Sequence, residues 1–184
     1  MVKVTVKGSV VRAWARCAAR QGILPEVEKK LSPATLAALR DPPLAGSWVS
    51  AEPLTQLFLA VYDTLGRAAA IKLSREAAEE VTPVYAGMLG GLLRLLGTSP
   101  ASLFGRMNDY SKQAMKGAEF IWTATSERSG VMDVRYGPDV KMTPPQFLTV
   151  MPSFESVFTL CKVKGTVSEP DVLAPNHARF KLFW

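Results

Sequence analysis

Catalysis by a nucleophile or a base asks for a small set of side chains, and this chain offers few of them. His177 is the one histidine, and Cys17 and Cys161 are the two cysteines. A nucleophile must stand beside its base. Ser111 and Lys112 in "DYSKQ" are sequence neighbours and leave a helix in different directions, so they form no dyad, and no G-x-S-x-G elbow occurs. Glu76, Glu79 and Glu80 fall at helical spacing, yet after Ser74 in "SREAAEEV" they stand where carboxylates complement the start of a helix. The glycines of "AGMLGGLLRLLG" lack the Lys-Ser/Thr ending of a phosphate-binding loop, which leaves close helix packing as their reading.

Metal chemistry fares no better. No second His or Cys lies at ligand spacing from His177, and the two cysteines are far apart in apolar surroundings. They read as buried, reduced thiols. His177 opens "HARFKLFW", where it alternates with Arg179 and Lys181, so it reads as a solvent-side residue of a strand and not a ligand. The expectation is a protein that is not an enzyme and holds no metal or cofactor.

Charge supplies a different clue. Of the net +6, residues 1–40 hold eight Lys/Arg against two Glu, and the rest of the chain is balanced. Lys3 and Lys7 alternate with valines, and Arg12, Arg16 and Arg20 recur every four residues along one helical face. Such a stripe can dock an acidic protein surface, a second copy of the chain, anionic lipid or, weakly, nucleic acid. With no aromatic side chains between the arginines for bases to stack on, it disfavours nucleic acid.

The elements that position these residues follow from periodicity. With 48% hydrophobic residues over 184 positions, the chain can bury a real core and reads as one domain over 1–184, mostly helical over 1–98. "VKVTVKG" is a short strand or arm, and a helix runs from about Val10 to Gln21 and ends at Gly22. Two short helices, "LPEVEKKL" and "SPATLAAL", precede the loop "RDPPLAGSW". A helix over 50–66 follows, then a segment capped by Ser74 that Pro83 kinks or splits. Residues 99–115 form one more helix, after which the period changes from helical to strand-like. "AEFIWTATS" and "GVMDVRYG" make a hairpin, an apolar helix over 146–161 follows, and strands "KVKGTVSE" and "HARFKLFW" finish the chain. This is an α+β fold: a helical part, then a β-β-α-β-β antiparallel sheet with a covering helix. "VYAGMLGGLLRLL" is too short to span a bilayer and "MVKVTVKGS" is no secretory segment, so the expected location is the cytoplasm.

Several stretches carry a resemblance. "KGSVVRAW", Ser47-Trp48 before a long apolar helix, "LLRLLGTSPASLFGRMNDYSKQAM" leading into a hairpin, then "CKVKGTV" and "ARFKLFW", resemble an uncharacterised paralogous family of myxobacteria, a domain of unknown function. That family is similar in layout to the heme-NO/oxygen-binding (H-NOX) domains and to the V4R small-molecule sensors. The heme-binding version holds iron through a His on the helix that here reads "SPASLFGRMNDYSKQAM", and a Tyr-x-Ser-x-Arg motif grips the propionates. This chain has no His on that helix, and Tyr110-Ser111-Lys112 lacks both the spacing and the arginine. The resemblance therefore implies a heme-free regulatory or sensory domain, with a cleft between helices and sheet that is either kept for a ligand or filled by side chains.

Two functions follow as expectations. One is protein–protein interaction or self-association through Lys3, Lys7, Arg12, Arg16 and Arg20. The other is binding of a small apolar ligand lined by Trp48, Phe58, Met88, Leu92, Phe104 and Phe120, all large apolar residues on predicted elements.

Overall fold

The computed structural model describes residues 4–96 and 99–184, with the side chains of 82–98 left aside. Strand β1 (Thr5–Lys7) runs directly into helix α1 (Gly8–Arg20), which buries Val11, Trp14, Ala15 and Ala18. Glycine opens α1 because a Cβ there would meet the Leu44 carbonyl oxygen at 2.0 Å. Helix α2 (Leu24–Val27) continues into a 3-10 turn, and α3 (Pro33–Arg40) starts on a Ser32 cap whose hydroxyl accepts from the Thr35 amide at 3.2 Å.

The stretch read as a loop ends in a strand, β2 (Trp48–Ser50), which pairs antiparallel with β1. Three residues are too few for a period to show. Helix α4 (Glu52–Leu65) ends at Gly66, whose φ of 85° only glycine adopts readily. Then α5 runs unbroken over Arg67–Leu96, so neither the cap at Ser74 nor the break at Pro83 occurs. Ser74 lies inside the helix, buried, and its hydroxyl donates to the Thr149 carbonyl at 3.0 Å. Good helix formers at "RAAAIKL" carry the helix start seven residues upstream.

The helix expected over 99–115 is two: α6 (Pro100–Gly105), capped by Ser99, and α7 (Met107–Ala114). Strand β3 (Met115–Lys116) then pairs with the other edge of β1, giving a three-stranded sheet in the order β2-β1-β3. The second sheet holds β4 (Ala118–Ser126), β5 (Ser129–Tyr136), β6 (Thr166–Val167), β7 (Asp171–Ala174) and β8 (His177–Phe183). Its order is β4-β5-β8-β6, with β7 also on β8, and every pairing is antiparallel. The expected β-β-α-β-β pattern thus gains one strand, β7, whose side chains are mostly exposed and leave no alternation to read.

Between the hairpin and the last strands lie α8 (Pro144–Phe147), a 3-10 turn, and α9 (Met151–Leu160), with Pro152 in the first turn of α9, where its missing N–H costs nothing. Helix α9 covers the large sheet. Phe154 meets Phe180 at 5.2 Å, Phe120 at 6.2 Å and Phe104 at 6.4 Å between ring centroids, each edge to face. Phe104 also stacks on Trp122 at 5.1 Å and packs against Phe158 and Trp184.

Phe104 is fully buried at the centre of these rings. Phe104→Ala is expected to destabilise the fold by about 3–5 kcal/mol through lost burial and the cavity it leaves. Urea unfolding followed by tryptophan fluorescence measures it.

Candidate functional site

Helices from both halves of the chain each turn one stripe of residues toward one space. On α5 the residues are Ser74, Ala77, Ala78 and Val81; on α7, Met107, Tyr110, Ser111 and Ala114; on α9, Ser153, Ser156, Val157 and Leu160. Each set is spaced i, i+3, i+4, i+7, one stripe of a helix. Val4 and Val6, two apart on one face of β1, close a side, and Phe120 and Tyr136 come from the large sheet. Together with Trp14 of α1 they border a cavity of about 300 Å³ that is open on one side.

The wall is almost wholly apolar. Among the described residues no charged side chain lines it. Five of its hydroxyls are turned onto backbone carbonyls: Thr55 on Ala51 at 3.4 Å, Ser74 on Thr149 at 3.0 Å, Ser111 on Asn108 at 3.0 Å, Thr149 on Gln146 at 2.7 Å and Ser156 on Ser153 at 2.8 Å. Tyr136 differs from them. It is 7% exposed, and burial alone pushes its phenol well above the ordinary value, so it stays neutral.

Of the six residues expected to line a pocket, Phe120 does. Phe58 and Phe104 are instead fully buried core, Phe58 against Trp14 and Tyr62, and Phe104 among the rings of α9 and the large sheet. Trp48 lies on β2 with Lys7 Nζ 4.4 Å and Lys116 Nζ 4.2 Å from its ring centroid. The side chains of Met88 and Leu92 lie outside the described residues. The residues that make the cavity were missed because they are small, and their helical spacing was the available signal.

The basic stripe is largely engaged within the chain. Lys3 lies outside the described residues, while Lys7 Nζ donates to the Gly46 carbonyl at 2.9 Å and Arg12 to that of Pro42 at 3.3 Å. Arg16 holds Glu80 through two nitrogens at 3.0 and 2.8 Å, and Arg20 reaches Glu80 at 2.9 Å and Glu76 at 3.1 Å. Glu76 and Glu80 sit one turn apart in the interior of α5, where they tie it to α1, and not at a helix start as expected. Burial works against the Glu80 carboxylate, but the hydrogen bonds from Arg16, Arg20 and Cys17 outweigh it and hold Glu80 below its ordinary value. Burial, then the Glu80 hydrogen bond and charge, push the Cys17 thiol up to about 11, which keeps it protonated. Cys161 is half-buried, less enclosed than expected.

His177 is not a free solvent-side residue. Its side chain is 18% exposed, and Nε2 lies 2.9 Å from Asp133 Oδ1 on the neighbouring strand. Arg179 grips the same carboxylate with Nε and Nη2, both at 3.0 Å. Asp133 directly opposes Arg179 in the β5–β8 pairing, a cross-strand relation the sequence alone does not give.

Comparison with solved structures decides what this architecture is. The chain is similar to the Fe(II) unliganded H-NOX protein of K. algicida, with 12% identity, 96% of this chain and 95% of that chain covered, and a TM-score of 0.68. A mutant of the T. Tengcongensis H-NOX has 12% identity, 96% coverage of both chains and a TM-score of 0.64. An oxygen-binding H-NOX domain related to soluble guanylate cyclases has 12% identity, covers 96% and 94%, and has a TM-score of 0.60. The chain has an H-NOX-like fold. No family model matches it, and neither does a curated relative.

The H-NOX-like fold implies heme, and the residues do not fit it. The one histidine is on β8 in the Asp133 pair and is not on the cavity wall, and neither cysteine lines the wall. The described wall offers no histidine, no cysteine and no cation for a propionate. No helix among the described residues is long and apolar enough to cross a membrane.

Burial opposes the charge of Asp133, but the hydrogen bonds and charges of Arg179 and His177 outweigh it and hold the carboxyl below its ordinary 3.8. A depressed carboxyl stabilises the fold above its unfolded value, and that contribution disappears as pH falls through the lower folded value. Asp133→Asn is therefore expected to cost about 1–3 kcal/mol at pH 7 and progressively less below about pH 4. Urea midpoints from pH 7 to pH 2.5 check it.

Proposed function

We propose that this chain is a non-enzymatic sensory domain that takes a small, neutral, apolar ligand into the cavity between its helices and its sheet, without heme. The observation that carries the reading is the wall itself: about 300 Å³ bordered by helical stripes and strands from both halves, with no charged side chain, histidine or cysteine among the described residues. This is the size and lining of a small-molecule site. Kinship in fold to an oxygen-binding H-NOX domain supports a small-molecule role, and the sequence stretches shared with the myxobacterial family support placing the chain there as a regulatory domain of the cytoplasm.

Docking of a protein partner or a second copy on the basic stripe is the weaker reading. Arg16 and Arg20 already pair with Glu80 and Glu76, and Arg12 with a loop carbonyl, so less charge is free to meet an acidic surface.

Naphthalene, a neutral hydrocarbon, is expected to raise the melting temperature of the purified protein. Ala114→Phe, which puts a ring into the cavity from α7, is expected to abolish that shift. A melting temperature unmoved by saturating naphthalene overturns the reading.

A further inference from the structure

We infer that the Tyr136 hydroxyl anchors the cavity's ligand, which makes that ligand a neutral, mostly apolar molecule of about two fused rings carrying one hydroxyl or carbonyl. The inference rests on the sensory reading above and gives it a ligand class.

The size follows from volume. An apolar cavity of about 150 Å³ accepts one benzene, and this one is about 300 Å³. Charge follows from the wall: with no charged side chain among the described residues to meet it, an ionised ligand would lose its hydration without compensation.

The polar group follows from Tyr136. The five wall hydroxyls named above are satisfied by backbone carbonyls, whereas no hydrogen bond reaches the Tyr136 phenol among the described residues. It lines the cavity at 7% exposure. Gln21 Nε2 is the one fully buried side-chain polar atom left without a partner among the described residues, so the Tyr136 oxygen keeps some accessible surface, where a ligand oxygen can take up its hydrogen bond. The ring is also held in place. The Tyr136 amide donates to the Asn176 carbonyl at 2.8 Å, Asn176 Nδ2 donates back to the Tyr136 carbonyl at 2.9 Å, and Phe147 packs on the ring at 6.0 Å. A donor fixed in this way loses little freedom on binding. Tyr110 and Ser153 also reach the wall with no hydroxyl bond of this kind, but Tyr110 is half-buried and Ser153 exposed, so water can serve both.

Three matched probes test this by calorimetry: naphthalene, 2-naphthol and 2-naphthoate. The wild type is expected to bind 2-naphthol about tenfold more tightly than naphthalene, the worth of one buried hydrogen bond, and not to bind 2-naphthoate. Tyr136→Phe, which removes one oxygen and keeps the ring, is expected to erase that preference and leave naphthalene binding unchanged, while Tyr110→Phe keeps the preference. Equal affinity for naphthol and naphthalene in the wild type, or a preference that survives Tyr136→Phe, overturns the anchor and leaves the sensory reading standing. Failure of both neutral probes to bind overturns the two together.

Discussion

The pairing of β1 on both its edges is the constraint on which the rest depends. Val6 opposes Val49 on one side and Met115 on the other, so a three-residue strand near the start of the chain joins the segment before α4 to the segment after α7. That join fixes where α1 begins, since Gly8 follows β1 directly and its amide donates to the Ser47 carbonyl at 2.8 Å. It also brings Val4, Val6 and Met115 to the cavity wall. The cavity is a consequence of stitching the two halves along this small sheet while leaving small residues where their helices face each other.

The arginine–glutamate cluster is the second fixed point. Arg16 and Arg20 on α1 converge on Glu80 of α5, and such exposed pairs contribute little stability singly. Their effect is on register. A carboxylate shared by two guanidiniums and the Cys17 thiol sets the rotation of α5 against α1. That rotation turns Ser74, Ala77, Ala78 and Val81 toward the cavity. Charge that reads in sequence as a surface for partners serves here to orient the wall.

What the sequence discloses of the fold divides along range. Elements specified by their own residues were legible: α1 by its apolar face, α3 by the Ser32-Pro33 cap, the β4–β5 hairpin by alternation, and the end of α4 by Gly66. Elements that exist only through a distant partner were not. Strand β2 depends on β1 some forty residues earlier, and β7 depends on a β8 strand that supplies all its pairing. Ser74 shows a local rule overridden: it has the residue type of a cap, but a helix already running from Arg67 turns its hydroxyl to the Thr149 carbonyl. The site divides in the same way. A search by size selects the residues that fill space, as Phe58 and Phe104 do. A cavity is made by the alanines and serines that leave space, and their i, i+3, i+4, i+7 spacing has meaning only once three helices are known to face one another.

That space has an energetic cost. Apolar wall atoms that border it forgo the packing partners that the rest of the core has. A larger side chain at Ala114 would fill part of it. On the sensory reading proposed above, an occupant takes the place of such a side chain, and the lack of charge on the described wall makes that occupant a neutral molecule.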